Sequence, residues 1–114
     1  MMVFTNTGVN AIRDLFSTAL TDASLGTSST TPLVSDTALG GEDATTNLVT
    51  TNTTNDKQIN VDYNIPSTTG NGTTFREFGS FDASNTLFSR QTFASLTKSS
   101  TEQWQFSIIY KINN

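Results

Sequence analysis

Apolar residues change their spacing once along the chain, and the change divides it. From residue 5 to residue 20, TNTGVNAIRDLFSTAL, they fall at Val9, Ile12, Leu15, Phe16, Ala19 and Leu20. Steps of three and four place them on one stripe of an α-helix. Thr5 or Thr7 stands where an N-cap belongs, while Gly8 weakens the first turn. The stripe predicts one amphipathic helix that covers an end or face of a sheet. From residue 46 the period becomes two. TNLVTT reads as a short strand, and KQINVDYNI as a longer one with Ile59, Val61, Tyr63 and Ile65 on the inward face. Pro66 ends it, and STTGNG is a turn. TTFREFGSF and TLFSRQTF follow, joined by a DASN hairpin turn. The last strand, TEQWQFSIIYKI, puts Trp104, Phe106, Ile108, Tyr110 and Ile112 on one face. Strands recurring about every ten residues predict a mainly β fold, an antiparallel β-sandwich or jelly-roll-like barrel.

Between the helix and the strands lies TDASLGTSSTTPLVSDTALGGEDAT, residues 21–45. Gly26, Pro32 and the Gly40-Gly41 pair interrupt it, and Leu33, Val34, Ala38 and Leu39 are its apolar points. A connection this long is either functional or contains short elements. The expectation is an extended arm pinned by Leu33 and Leu39 and reaching a neighbouring subunit; a solvated surface loop fits the length equally well. TDAS shows no apolar alternation, so almost no strand is expected there. The whole, residues 1–114, reads as one domain: helix 5–20, arm or loop 21–45, sandwich 46–114.

Composition narrows the chemistry. Thr, Ser and Asn supply 46 of the 114 residues, which predicts a neutral, hydroxyl-rich surface suited to strands and turns. The formal net charge is −4 and the six basic residues are scattered singly, so the clustered basic face of a nucleic-acid binder is missing. No apolar run approaches a membrane span, and MMVFTNTGVNAIRDLF lacks the basic start and apolar core of a signal peptide. Synthesis in the cytoplasm without export by that route is therefore expected. With no Cys and no His, disulfides, thiolate zinc sites and imidazole bases are excluded together. No cofactor is called for.

Two groups of charges remain to be placed. Asp36, Glu42 and Asp43 could in principle gather around Ca²⁺, but SDTALGGED lacks the alternating ligand spacing of a calcium loop, so a solvated loop is the expectation. Glycosidase chemistry needs two carboxylates across a cleft, and nothing in the sequence pairs any. If TTFREFGSF and TLFSRQTF pair through the DASN turn, Glu77 and Arg90 meet across them. Without a His, Cys or Lys beside them, they are expected to be a structural ion pair. The eleven aromatic residues are expected mostly in the core, but so many in a small chain can leave some over for subunit contacts. Phe78, Phe81 and Phe88 fall opposite the faces assigned to the core and, with Leu33, Val34 and Leu39, are the candidate subunit interface. The sequons Asn52-Thr53-Thr54 and Asn71-Gly72-Thr73 are chance matches in a chain this rich in Asn and Thr.

Taken together, LGTSSTTPLVSDTALGGE at 25–42 and FREFGSFDASNTLFSRQTFASLTKSSTEQWQFSIIYKI at 75–112 resemble a family of small virion structural proteins of tailed phages and related archaeal viruses. Gly26, Pro32, Asp36, Thr37, Leu39 and Glu42 match the first segment of that pattern. Glu77, Gly79, Phe81, Asp82, Arg90, Phe93 and Lys98 match the second. An arginine that commonly follows the acidic residue of the first segment is replaced here by DATTN. The resemblance implies a non-enzymatic building block of the virion, made in the host cytoplasm. It would assemble with itself as a homo-oligomer and with other virion proteins, as a tail or tail-tip component. A capsid decoration protein on the head surface is the alternative. A glycan-binding adhesin module, contacting host-surface sugars, is a third reading; it needs an exposed Trp or Tyr, and all three such residues fall in phase with core faces.

Overall fold

A computed structural model describes residues 1–113. One helix, α1 (Asn6–Ala19), precedes seven strands: β1 (Asp22–Gly26), β2 (Glu42–Val49), β3 (Thr51–Asn55), β4 (Gln58–Ile65), β5 (Thr74–Phe81), β6 (Leu87–Thr97) and β7 (Trp104–Lys111). They form two antiparallel sheets, a four-stranded sheet in the order β2-β1-β5-β6 and a three-stranded sheet in the order β3-β4-β7. The fold is mainly β and sandwich-like, somewhat extended at 53 × 28 × 25 Å.

The inward row of β4 explains how the layers fit. Tyr63 and Ile65 pack with Ala23, Leu25, Phe75 and Phe78 of the four-stranded sheet, edged by Trp104 and Phe106. Ile59 and Val61, four and two residues before Tyr63, pack instead against Leu20 and Phe16 at the end of α1. Thus the helix covers the part of the three-stranded sheet that the other sheet does not reach. It starts at Thr5, whose Oγ1 accepts the Gly8 N–H at 3.1 Å. At its other end Asn52 Nδ2 of β3 donates to the carbonyls of Leu20 at 2.6 Å and Ser17 at 2.8 Å, satisfying acceptors the helix leaves open.

Three sequence expectations change here. First, Asp22–Gly26 is a strand, and a central one: β1 pairs with β2 on one side and β5 on the other. Ala23, Ser24, Leu25 and Gly26 are all buried. A strand covered on both faces has no reason to alternate apolar with polar, so TDAS hid it. Second, the stretch read as TNLVTT is split. β2 extends back to Glu42, and the chain changes sheets at Thr50, whose N–H donates to Thr21 O at 2.9 Å. Residues 21–45 therefore supply strands at both ends, and 27–41 between them lie against the sheet. Third, β5 is buried on both faces along most of its length. Phe75 and Phe78 enter the same core cluster despite opposite parity, because the β5–β6 register shifts between Phe75 and Glu77.

Candidate functional site

On the face of β5 opposite Phe78, Glu77 is buried to 0% exposure. Its partners come from three separate stretches. The β5–β6 register sets Gly79 opposite Arg90 and Glu77 opposite Thr92, so Glu77 and Arg90 are diagonal neighbours on one face. Arg90 Nε donates to Glu77 Oε1 at 2.9 Å, and Gly40 N–H donates to the same oxygen at 2.9 Å. The other oxygen, Oε2, accepts Ser28 N–H at 2.9 Å and Gly41 N–H at 2.8 Å. The rest of the Arg90 guanidinium reaches the loop itself. Nη1 donates to Asp36 Oδ2 at 3.1 Å and Nη2 to Thr30 Oγ1 at 3.1 Å. Asp36 Oδ2 also accepts Leu33 N–H at 2.9 Å.

Glycine makes the approach feasible. Gly26 is the β1 partner of Glu77, and a Cβ on it would sit 2.4 Å from Glu77 Oε2. A Cβ on Gly40 would meet Ser28 Oγ at 2.5 Å. The segment LG…GGE is thus the backbone mould of one carboxylate.

Electrostatics follow from the contacts. Burial alone pushes the Glu77 carboxyl up, but Arg90 and the N–H groups of Ser28, Gly40 and Gly41 outweigh it and hold the group below the usual carboxylate range. Asp36 is held low, first by the Leu33 N–H, with Arg90 adding to it against the opposing effect of burial. Arg90 is raised, first by Glu77. All three are charged at neutral pH. Glu77 has four N–H donors on two oxygens and no access to solvent, so no acceptor position is open to a reacting group. The arrangement stores no proton and presents no nucleophile; it fastens residues 27–41 to the sheet.

The remaining candidate residues separate by exposure. Leu39 is buried, and a Cβ added at Gly79 would touch Leu39 Cδ2 at 2.7 Å and Phe81 Cε2 at 3.2 Å. Leu39, Leu87 and Phe81 therefore crowd around Gly79, and Leu39 and Phe81 are both buried. Phe78 lies in the core between the sheets. These three correct the expectation of subunit contacts, since their surface is already covered by the chain's own loop and opposite sheet. Leu33, Val34 and Phe88 are exposed. Among the described residues no acidic group gathers for a metal; Asp36 is turned to Arg90, and Asp43 Oδ1 accepts Thr45 N–H at 3.0 Å.

Several polar contacts that hold the fold gave no signal in the sequence. Thr46, buried in β2, accepts Leu25 N–H on Oγ1 at 2.8 Å and donates to Asp43 O at 2.7 Å. Its carbonyl accepts the Tyr63 hydroxyl, which burial raises well above the ordinary tyrosine range. The Tyr110 hydroxyl lies between those of Ser80 and Ser89, at 2.7 and 2.6 Å. Lys98 is buried in a turn, its Nζ donating to Asn71 Oδ1 at 2.9 Å. Hydroxyls in so Thr- and Ser-rich a chain look alike, and nothing but the fold distinguishes these few.

A family model described as phage tail-collar fibre protein, N-terminal, matches residues 14–111. No curated protein and no solved structure matches the chain.

Proposed function

Because the chain belongs to the family of phage tail-collar fibre proteins, N-terminal, we propose that it is a tail-assembly module docking through its sandwich and its fastened loop. The family is structural and non-enzymatic, and it makes the chain a component of the virion tail. It also implies association with other tail proteins. That favours the tail over a decoration site on the head, a choice the sequence alone left open. The observation that carries the mechanism is the Glu77 site. Four donors converge on one buried carboxylate and hold 27–41 in a single shape, with Leu33 and Val34 outward. A preshaped loop loses little conformational freedom on docking, so its contacts are stronger than those of a mobile arm. Partners are other tail proteins and further copies of the chain. A sugar-binding role lacks a platform: Tyr63 is buried and Trp104 and Tyr110 are half-buried.

Immunogold labelling of particles carrying an epitope-tagged chain tests this reading. Gold on the tail of intact particles, lost when Arg90→Ala is introduced, is the expected outcome. Gold on the head, or a full tail signal with the loop deleted, would overturn it.

A further inference from the structure

The β4–β5 and β6–β7 connections each cross from one sheet to the other, and they are joined to one another. Gly72 N–H donates to Lys98 O at 2.7 Å, and Lys98 N–H to Thr73 O at 3.2 Å. Lys98 is 1% exposed, and ammonium side chains are almost never so buried unless paired. Yet among the described residues no carboxylate forms a salt bridge with it. Its Nζ donates to the amide oxygen Oδ1 of Asn71 at 2.9 Å and, at 3.5 Å, to Ser99 O. Glu102 is exposed, accepts the Ser99 N–H at 2.8 Å and interacts with Lys98 only through space.

Asn71 begins the one Asn-Gly step in the chain. Such a step is chemically labile, because the next backbone nitrogen can reach the side-chain carbonyl carbon and glycine carries nothing to shield it. Asn71 is exposed, and a Cβ added to Gly72, whose φ is +79°, would meet nothing within 4 Å. We propose that Asn71 is a self-modification site, where the amide is hydrolysed through a cyclic imide and Lys98 steers the product to an ordinary aspartate.

The Gly72 nitrogen bonds to Asn71 Cγ and its proton passes to water. The carbonyl electron pair moves onto Oδ1, 2.9 Å from the Lys98 ammonium, which stabilises the developing charge. Collapse restores the carbonyl and breaks the Cγ–Nδ2 bond; Nδ2 takes up a proton and leaves as ammonia. Water can open the resulting imide at either carbonyl. Attack at Cγ restores the normal backbone, whereas attack at the main-chain carbonyl gives isoaspartate. Lys98 polarises the Cγ carbonyl, so water adds there, the bond from Cγ to the Gly72 nitrogen breaks, and that nitrogen recovers a proton. In sum, amide and water become carboxylate and ammonium. The product puts a negative oxygen where Oδ1 stands, so Lys98 gains an ion pair that ties the two connections together.

Two contacts restrain the first step. Gly72 N–H is held by Lys98 O, and Asn71 Nδ2 donates to Ser67 O at 2.9 Å. Both belong to an exposed turn and can open without disturbing either sheet, and neither opening releases Oδ1 from Lys98. Conversion is therefore slower than in the unfolded chain, yet measurable in purified protein kept for weeks.

The full chain, kept at mildly alkaline pH where the Gly72 proton leaves faster, is followed by ion-exchange chromatography. Peptide mapping then separates aspartate from isoaspartate. An added negative charge located at residue 71 is expected, with a ratio of aspartate to isoaspartate several-fold higher than in the same chain held in urea. That comparison needs no variant. Lys98→Met should bring the ratio down to the urea value, with circular dichroism checking that it folds. Asn71→Gln keeps an amide beside Lys98 but closes the imide far more slowly, and should hold its charge. Asn71→Asp, the product made directly, should raise the urea midpoint above that of the wild type, and adding Lys98→Met should abolish the gain. Asn71 left intact after the urea-held chain has reacted fully would overturn the proposal. So would an aspartate ratio that is the same with and without the fold, or an Asn71→Asp midpoint that does not rise.

Discussion

Glu77 shows what one side chain can do in a structure this small. Removing one member of a buried ion pair leaves the other charged and unpaired, a loss of about 3–5 kcal/mol. Domains of this kind have roughly 5–15 kcal/mol in total. Arg90→Ala should therefore lower the urea midpoint sharply while leaving β-sheet circular dichroism visible at low denaturant. The same site sets an acid limit. Glu77 titrates lower when folded than when unfolded, so as pH falls the unfolded chain takes up its proton first. Its contribution is complete above the unfolded value of about 4.3 and is lost below it. Urea midpoints measured down to about pH 3 should decline for the wild type. Glu77→Gln should start lower at neutral pH and decline less, the remaining slope coming from Asp36 and Glu102, which are also held low. Strand alternation puts Glu77 and Arg90 on facing strands from the sequence alone. It could not reveal Ser28, Gly40 and Gly41, because what they contribute is backbone N–H, and every residue but proline has one. Gly26 and the Gly40-Gly41 pair were the traces of the mould, and they read only as interruptions of a long connection.

Among the elements, legibility followed burial. β4 and β7 have one covered face each, so they alternate and were clear. β1 has two covered faces and small residues, so it was invisible. β2 and β3 ran together because no Gly or Pro marks Thr50, where the chain passes from one sheet to the other. The helix was found with nearly its observed ends, yet its stripe was read as wholly inward, although Leu15 and Ile12 face out. A periodicity shows that a face is apolar without showing what covers it. The link between α1 and β3 is itself testable. Asn52→Ala frees the Leu20 and Ser17 carbonyls, but it also removes Asn52 Oδ1, a buried acceptor with no partner. The two effects partly offset, and a net loss of about 1 kcal/mol is expected in thermal or urea unfolding.

For the molecule as a whole, the sandwich class was legible in the ten-residue rhythm of strands, and the absence of chemistry in the missing Cys and His. Whether the module belongs to tail or head was not, because either site needs a small stable sandwich; family membership separates them. The Glu77 site also bears on the order of events in folding. Its donors lie 36, 37 and 49 residues away on one side and 13 on the other. The carboxylate cannot be desolvated until β1, β2, β5 and β6 have all paired and the intervening segment has folded back. Closing that arrangement is therefore expected late, after the barrier has been crossed. Stopped-flow measurements on Arg90→Ala should find refolding close to the wild-type rate and nearly the whole loss in faster unfolding. The buried carboxylate then acts as a latch on the finished module, setting how long it stays folded and not how fast it gets there.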